Sequence, residues 1–152
     1  MVIQRIQSLL LLLAAIAVAL FIFIPYGYWD AAVAGKAPQF GPLVAKAQPA
    51  LLIPSIIAII LIVVSIFLYK KMPLQKSLVA LSGLVVTATA CVVVYMLTRS
   101  YVDVTAVAGD VTIKPLWGLS GALLIAALVA LVAAHRCISS DQRLLRSYDR
   151  LR

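Results

Sequence analysis

Four long runs of apolar residues, none interrupted by Asp, Glu, Lys, Arg or His, constrain this chain more than any other feature. They cover residues 6–24, 50–69, 78–97 and 116–134. At a rise of 1.5 Å per residue each would form a helix of about 28–30 Å, the thickness of a bilayer's hydrocarbon core. None alternates as a barrel strand must, so four transmembrane helices are expected. Such spans take up roughly half of the chain and leave little for a soluble catalytic domain. A hydrophobic content of 64% with only 12% charge argues the same way, because soluble domains are about one-quarter charged. It also excludes a disordered chain, and two cysteines are too few for a disulfide scaffold.

The ends of the runs carry the marks of membrane boundaries. The first stops at Pro25 and leads into Tyr26-Gly27-Tyr28-Trp29, an interfacial aromatic belt. Arg5 before an apolar run and the small residues Ala32, Val33 and Ala34 also outline a signal peptide. The run is longer than a signal core and the small residues lie well beyond its end, which favours an uncleaved helix. In the second run Pro49 or Pro54 falls in the first turn, where a missing N–H costs little. It ends at Lys70-Lys71-Met72-Pro73, the third at Thr98-Arg99 and the fourth at His135-Arg136.

Basic residues set the expected orientation. With four spans, Arg5, Lys70, Lys71, Lys76, Arg136, Arg143, Arg146, Arg150 and Arg152 fall on one side, and Lys36, Lys46, Arg99 and Lys114 on the other. Asp141 and Asp149 accompany the nine, and Asp30, Asp103 and Asp110 the four, so the net charge of +8 divides into +7 and +1. The basic side is expected to be cytoplasmic, with both termini on it. The positive charge thus reads as membrane orientation, and no nucleic-acid partner is expected.

Residues 30–48, with Gly35, Pro38, Gly41 and Pro42, read as an irregular external cap. Residues 100–115 place β-branched stretches on both sides of Ala108-Gly109-Asp110, which predicts a short external β-hairpin between helices 3 and 4. Asp103 and Asp110 lack a supporting His, Cys or Glu for a metal site, and turn chemistry accounts for Asp110. The chain therefore divides into a transmembrane domain, 1–136, and a basic cytoplasmic tail, 137–152. Ser139-Ser140-Asp141-Gln142 is an S-x-x-Q capping pattern that would open a tail helix. In it Leu144, Tyr148 and Leu151 share one face and Arg143, Arg146 and Arg150 the other. This amphipathic helix is suited to anionic lipid or to a cytoplasmic partner.

No chemistry is evident inside the spans. Ion-coupled transporters retain ionisable groups there, whereas here the polar residues are of the kind of Ser65, Thr87, Thr89, Cys91 and Tyr95, expected to bond within or between helices. A continuous polar cavity along Thr87, Thr89 and Tyr95 would instead favour a carrier. Gly118-Leu119-Ser120-Gly121 resembles the G-x-S-G of rhomboid-type intramembrane proteases. His135, the only histidine, lies about 22 Å from Ser120 along one helix, out of reach of a nucleophile. Cys91 and Cys137 fall on different levels and form no redox pair, and His135 with Cys137 is too small a set for zinc. No catalytic residue, metal or cofactor is expected.

Small residues recur every four positions: Gly118, Ala122, Ala126, Ala130 and Ala134 on helix 4, and Gly83, Thr87 and Cys91 on helix 3. Such stripes let helix backbones approach, so helix 4 is expected to have a tight neighbour, most simply helix 3, or another subunit of a homo-oligomer.

The two ends of the chain carry a resemblance. Val2-Ile3-Gln4-Arg5-Ile6-Gln7-Ser8-Leu9 and Asp141-Gln142-Arg143-Leu144-Leu145-Arg146-Ser147-Tyr148-Asp149-Arg150-Leu151-Arg152 resemble the domain-of-unknown-function family 4293, small four-span inner-membrane proteins of Bacteroidota. The resemblance implies a Gram-negative inner membrane and supplies no catalytic residues. It directs attention to Gln4, Arg5 and Gln7 beside the Asp149-Arg150-Leu151-Arg152 end, two elements expected to meet as one cytoplasmic face. The expectation is an all-α, four-helix membrane protein that is not an enzyme and that serves assembly or anchoring of another membrane component. A small oligomeric carrier of a lipid or other apolar molecule is the alternative.

Overall fold

The computed structural model describes the backbone at residues 2–31, 39–68, 71–108, 111–115 and 117–149, and side chains at 6–28, 42–68, 71–98 and 119–144. Its elements run α1 (Val2–Phe23), β1 (Pro25–Ala31), β2 (Gln39–Val44), a 3-10 turn (Ala45–Ala47), α2 (Pro49–Phe67), α3 (Met72–Ala108), β3 (Val111–Pro115), a π turn (Trp117–Gly121) and α4 (Ala122–Asp149). Four stretches are long and apolar enough to cross a membrane: Ile6–Phe23, Pro49–Phe67, Met72–Thr98 and Leu119–Leu144. α1 packs on α2 and α4, and α3 on α2 and α4, which leaves α1 and α3 on a diagonal.

Rows of buried residues on all four helices follow alternating steps of three and four, with a few further buried residues beside them. They are Gln7, Leu11, Ala14, Val18 and Phe21 on α1, then Leu51, Ser55, Ala58, Ile62 and Ser65 on α2. α3 contributes Gln75, Val79, Ser82, Val86, Thr89 and Val93, and the π turn and α4 Ser120, Leu124, Ala127, Leu131, Ala134 and Ile138. This 3.5-residue period is the signature of a bundle with left-handed supercoiling. Lipid is as apolar as leucine, so close packing and interhelical bonds hold such a bundle together.

The hydroxyls inside it bond to their own helices. Ser55 donates to the Leu51 carbonyl at 2.7 Å, Ser65 to Leu61 at 2.7 Å, Ser82 to Val79 at 2.8 Å and Thr89 to Val85 at 2.9 Å. Among the described residues no buried side-chain N or O atom lacks a partner.

The external loops depart from expectation. Residues 101–108 extend α3 and form no hairpin strand with β3. Once α3 is nucleated, each further residue adds a hydrogen bond without a new nucleus, which outweighs the weak β preference of valine and threonine. At its other end α3 begins at Met72, six residues before the expected start, with Pro73 in the first turn, where it is tolerated. The hairpin lies instead between α1 and α2, where an irregular cap was expected. β1 pairs antiparallel with both β2 and β3, giving the order β2-β1-β3. Pro42 and Pro115 occupy the edge strands and Pro25 opens the central one, the places where a missing ladder donor is tolerated. Residues 32–34, the candidate cleavage site, and Asp110 lie outside the described residues.

α4 also differs from expectation. It runs unbroken from Ala122 to Asp149, so Ser139-Ser140-Asp141-Gln142 lies within a helix and caps nothing. Ser139 donates instead to the His135 carbonyl at 2.9 Å. The tail is a continuation of the fourth span, because a nucleated helix propagates and no glycine or proline interrupts it.

Candidate functional site

Two regions gather the polar and basic groups: the crevice between α3 and α4, and the end of the bundle where Gln7, Gln75 and Asp141 lie. At that end Gln7 Nε2 donates to Asp141 Oδ2. Gln7 is 5% exposed and Asp141 half-buried. Asp141 follows Ala134 and Ile138 at steps of four and three, so the inward seam of α4 carries it toward α1. The N-terminal element and the start of the tail therefore meet, through Gln7 and Asp141. The side chains of Gln4, Arg5, Arg146, Tyr148 and Asp149, and all of Arg150, lie outside the described residues. Arg143 is exposed, and so is Leu144, the first apolar residue of the tail face.

α1 is the tight neighbour of α4, and their contact is the most extensive between helices. Counting from Gln7 and Asp141 along antiparallel helices puts Ala14 level with Ala134 and Phe21 level with Ala127. The expected small-residue stripe does not coincide with this seam. Ala130 and Ala134 are buried, but Ala122 and Ala126 are exposed. Each four-residue step turns about 40° past a full circle, so a strict stripe winds off the seam. Gly118 has no described side-chain environment. On α3 Gly83 is half-buried and Thr87 and Cys91 are exposed, while Ser82, Val86 and Thr89 form the buried row. A Cβ at Gly83 would meet nothing within 4 Å, so no backbone approaches closely there.

Two cavities open along the α3–α4 crevice, and both touch Leu128. The one toward the basic end has a volume of about 320 Å³; Val79, Ala80, Gly83, Thr87, Leu131 and Val132 line it, with His135 and Arg136 at one end. The other, about 380 Å³, reaches under the sheet to Phe21 and Tyr26 and is bordered by Ser120 and Gly121 of the π turn. Both lie within the range of small-molecule sites. Thr87 lines the first cavity and donates to the Gly83 carbonyl at 2.8 Å, Thr89 belongs to the buried seam, and Tyr95 is 54% exposed. These three residues therefore do not line one polar passage. Ser120 and His135 border different cavities, so the G-x-S-G residues and the histidine are not brought together.

Sequence reasoning missed Gln75, and it placed Tyr26 in an aromatic belt without revealing its burial. The spacing from Gln75 through Val79 and Ser82 to Val86 would have revealed the first. Tyr26 is 2% exposed, beside a bulge in β1 between Pro25 and Gly27, a distortion that re-aims side chains. Burial raises its phenol above the ordinary value of 10.0. The folded state thus favours the neutral form, a contribution complete below the unfolded pKa and lost as pH rises through the folded one. Between about pH 9 and 11 the wild type should lose thermal stability more steeply than Tyr26→Phe, as read from melting curves in detergent. Equal slopes would refute this.

Four apolar spans closed into an up-and-down bundle define the class: a multi-pass helical membrane protein. The chain belongs to the family described as Domain of unknown function (DUF4293), whose model matches residues 3–151. No curated protein matches it in sequence.

Proposed function

We propose that this chain is a non-enzymatic protein of a bacterial inner membrane, with both termini cytoplasmic, that anchors or helps assemble another membrane component. The orientation rests on the division of charge into +7 at the basic end and +1 at the sheet end. The observation that carries the role is the continuity of α4. Its 28 residues extend about 42 Å, against a hydrocarbon core of about 30 Å. The Gln7–Asp141 bond ties this helix to α1 where it leaves the bundle. A basic helical arm held in a fixed direction suits a protein partner, or a second copy of the chain, at an anionic lipid surface. A small carrier of lipid, acting as an oligomer, is the second reading, and the two crevice cavities favour it.

Affinity purification from native membranes in mild detergent separates the two. A specific membrane protein, or a second copy, is expected to accompany the full chain and to be lost on truncation after Gln142, with the bundle's melting temperature unchanged. A lone monomer carrying one stoichiometric lipid would overturn the anchoring role in favour of carriage.

A further inference from the structure

We propose that the cavity at the basic end of the α3–α4 crevice holds one acyl chain of an anionic phospholipid, with the lipid phosphate at its mouth against Lys76, His135 and Arg136. This deepens the lipid part of the reading above by giving it a site, and it requires no protein partner.

The walls suit a hydrocarbon chain: Val79, Leu128, Leu131 and Val132 supply them, and Gly83 leaves the space. The space beside Gly83 is open, since a Cβ there would meet nothing within 4 Å. The depth suits one leaflet. Eight residues separate Leu128 from Arg136, about 12 Å along α4, against about 15 Å for half of a hydrocarbon core.

The mouth suits a phosphate. Arg136 is exposed and His135 half-buried, and both border the cavity. Lys76 lies four residues before Ala80 and seven before Gly83, hence on the same face of α3. Arg143, two turns beyond Arg136, adds a further cation on that face of α4. Asp141 is the only acid among the described side chains, and it accepts from Gln7 on the α1 side, away from the mouth. A guanidinium matches phosphate oxygens in shape as well as charge. Charge at one end and hydrocarbon along the rest is the pattern of an acidic lipid.

The full-length protein, delipidated in mild detergent, is titrated with phosphatidylglycerol or with phosphatidylcholine of the same chains, and retained lipid is counted by native mass spectrometry. One phosphatidylglycerol per chain is expected, held several-fold more tightly than phosphatidylcholine. Lys76→Gln and Arg136→Gln should each weaken phosphatidylglycerol about five-fold and phosphatidylcholine, whose choline already offsets its phosphate, by less, while Gly83→Leu, which fills the cavity, should weaken both. Equal retention of the two lipids, or unchanged phosphatidylglycerol in the Lys76→Gln/Arg136→Gln double variant, would overturn the proposal. Should Gly83→Leu lower the melting temperature, the charge variants at the mouth decide the matter alone. Loss of the lipid leaves a co-purifying protein in place, and the reverse, so failure here is distinct from failure of the anchoring role.

Discussion

Replacing Ala134 with leucine is expected to destabilise the bundle by about 1–3 kcal/mol, whereas the same replacement at Ala126 should change stability by less than about 0.5 kcal/mol. Both alanines belong to the four-residue stripe, yet Ala134 is fully buried and Ala126 is exposed. At Ala134 three further carbons must enter the α1–α4 seam, level with Ala14, itself fully buried. Packing there is close on both sides, so α1 and α4 would separate and lose contacts along their length. At Ala126 the added carbons enter lipid, which accepts them readily. Ala127→Leu supplies a control from outside the stripe. Ala127 is fully buried and level with Phe21, and its replacement should cost as much as that of Ala134. Melting of the purified variants in one detergent measures all three. If Ala126→Leu were as damaging as Ala134→Leu, the 3.5-residue seam would be the wrong description of α4.

Asp141→Ala should cost about 1.5–3 kcal/mol, the range for a hydrogen bond to a charged group. The loss falls mainly on Gln7, whose amide is buried and would keep a donor with nothing to receive it. Asp141→Asn keeps an acceptor oxygen of the same shape and should lose about half as much, since the bond then lacks its charge. Gln7→Leu should cost less than Asp141→Ala, because Asp141 is only half-buried and water can reach it. A double-mutant cycle between Gln7→Leu and Asp141→Ala isolates the coupling, which should exceed about 0.5 kcal/mol for groups in contact. Additive effects would mean that the α1–α4 latch contributes nothing.

The parts of the molecule legible in the sequence are those where water meets lipid. The first two runs end within two residues of α1 and α2, because Pro25 and the Lys70-Lys71 pair mark a change of solvent, whereas α3 and α4 continue to Ala108 and Asp149, well past the expected ends at 97 and 134. Gln7 and Asp141 were legible as polar groups at one end. Their contact was not, since they are 134 residues apart and nothing local says which pair of four helices meets across it. The three-stranded sheet was illegible for a related reason. β3 finds its partner in β1, more than 80 residues earlier, while β-branched residues next to a nucleated helix simply continue it.

Hydropathy by itself determined that this chain forms four helices long and apolar enough to span a membrane, and the distribution of lysine and arginine determined that its two ends differ in charge. Tertiary structure decided which face of each helix turns inward, which helices touch, and where the crevice cavities open. A soluble helix shows its buried face because the other side is polar. Here lipid and bundle interior are both largely apolar, so that contrast is weak, and the shape of the packed side chains, with a few buried Ser, Thr and Gln, distinguishes the seam through Val86 and Ala134 from the surface that carries Ala126 and Cys91.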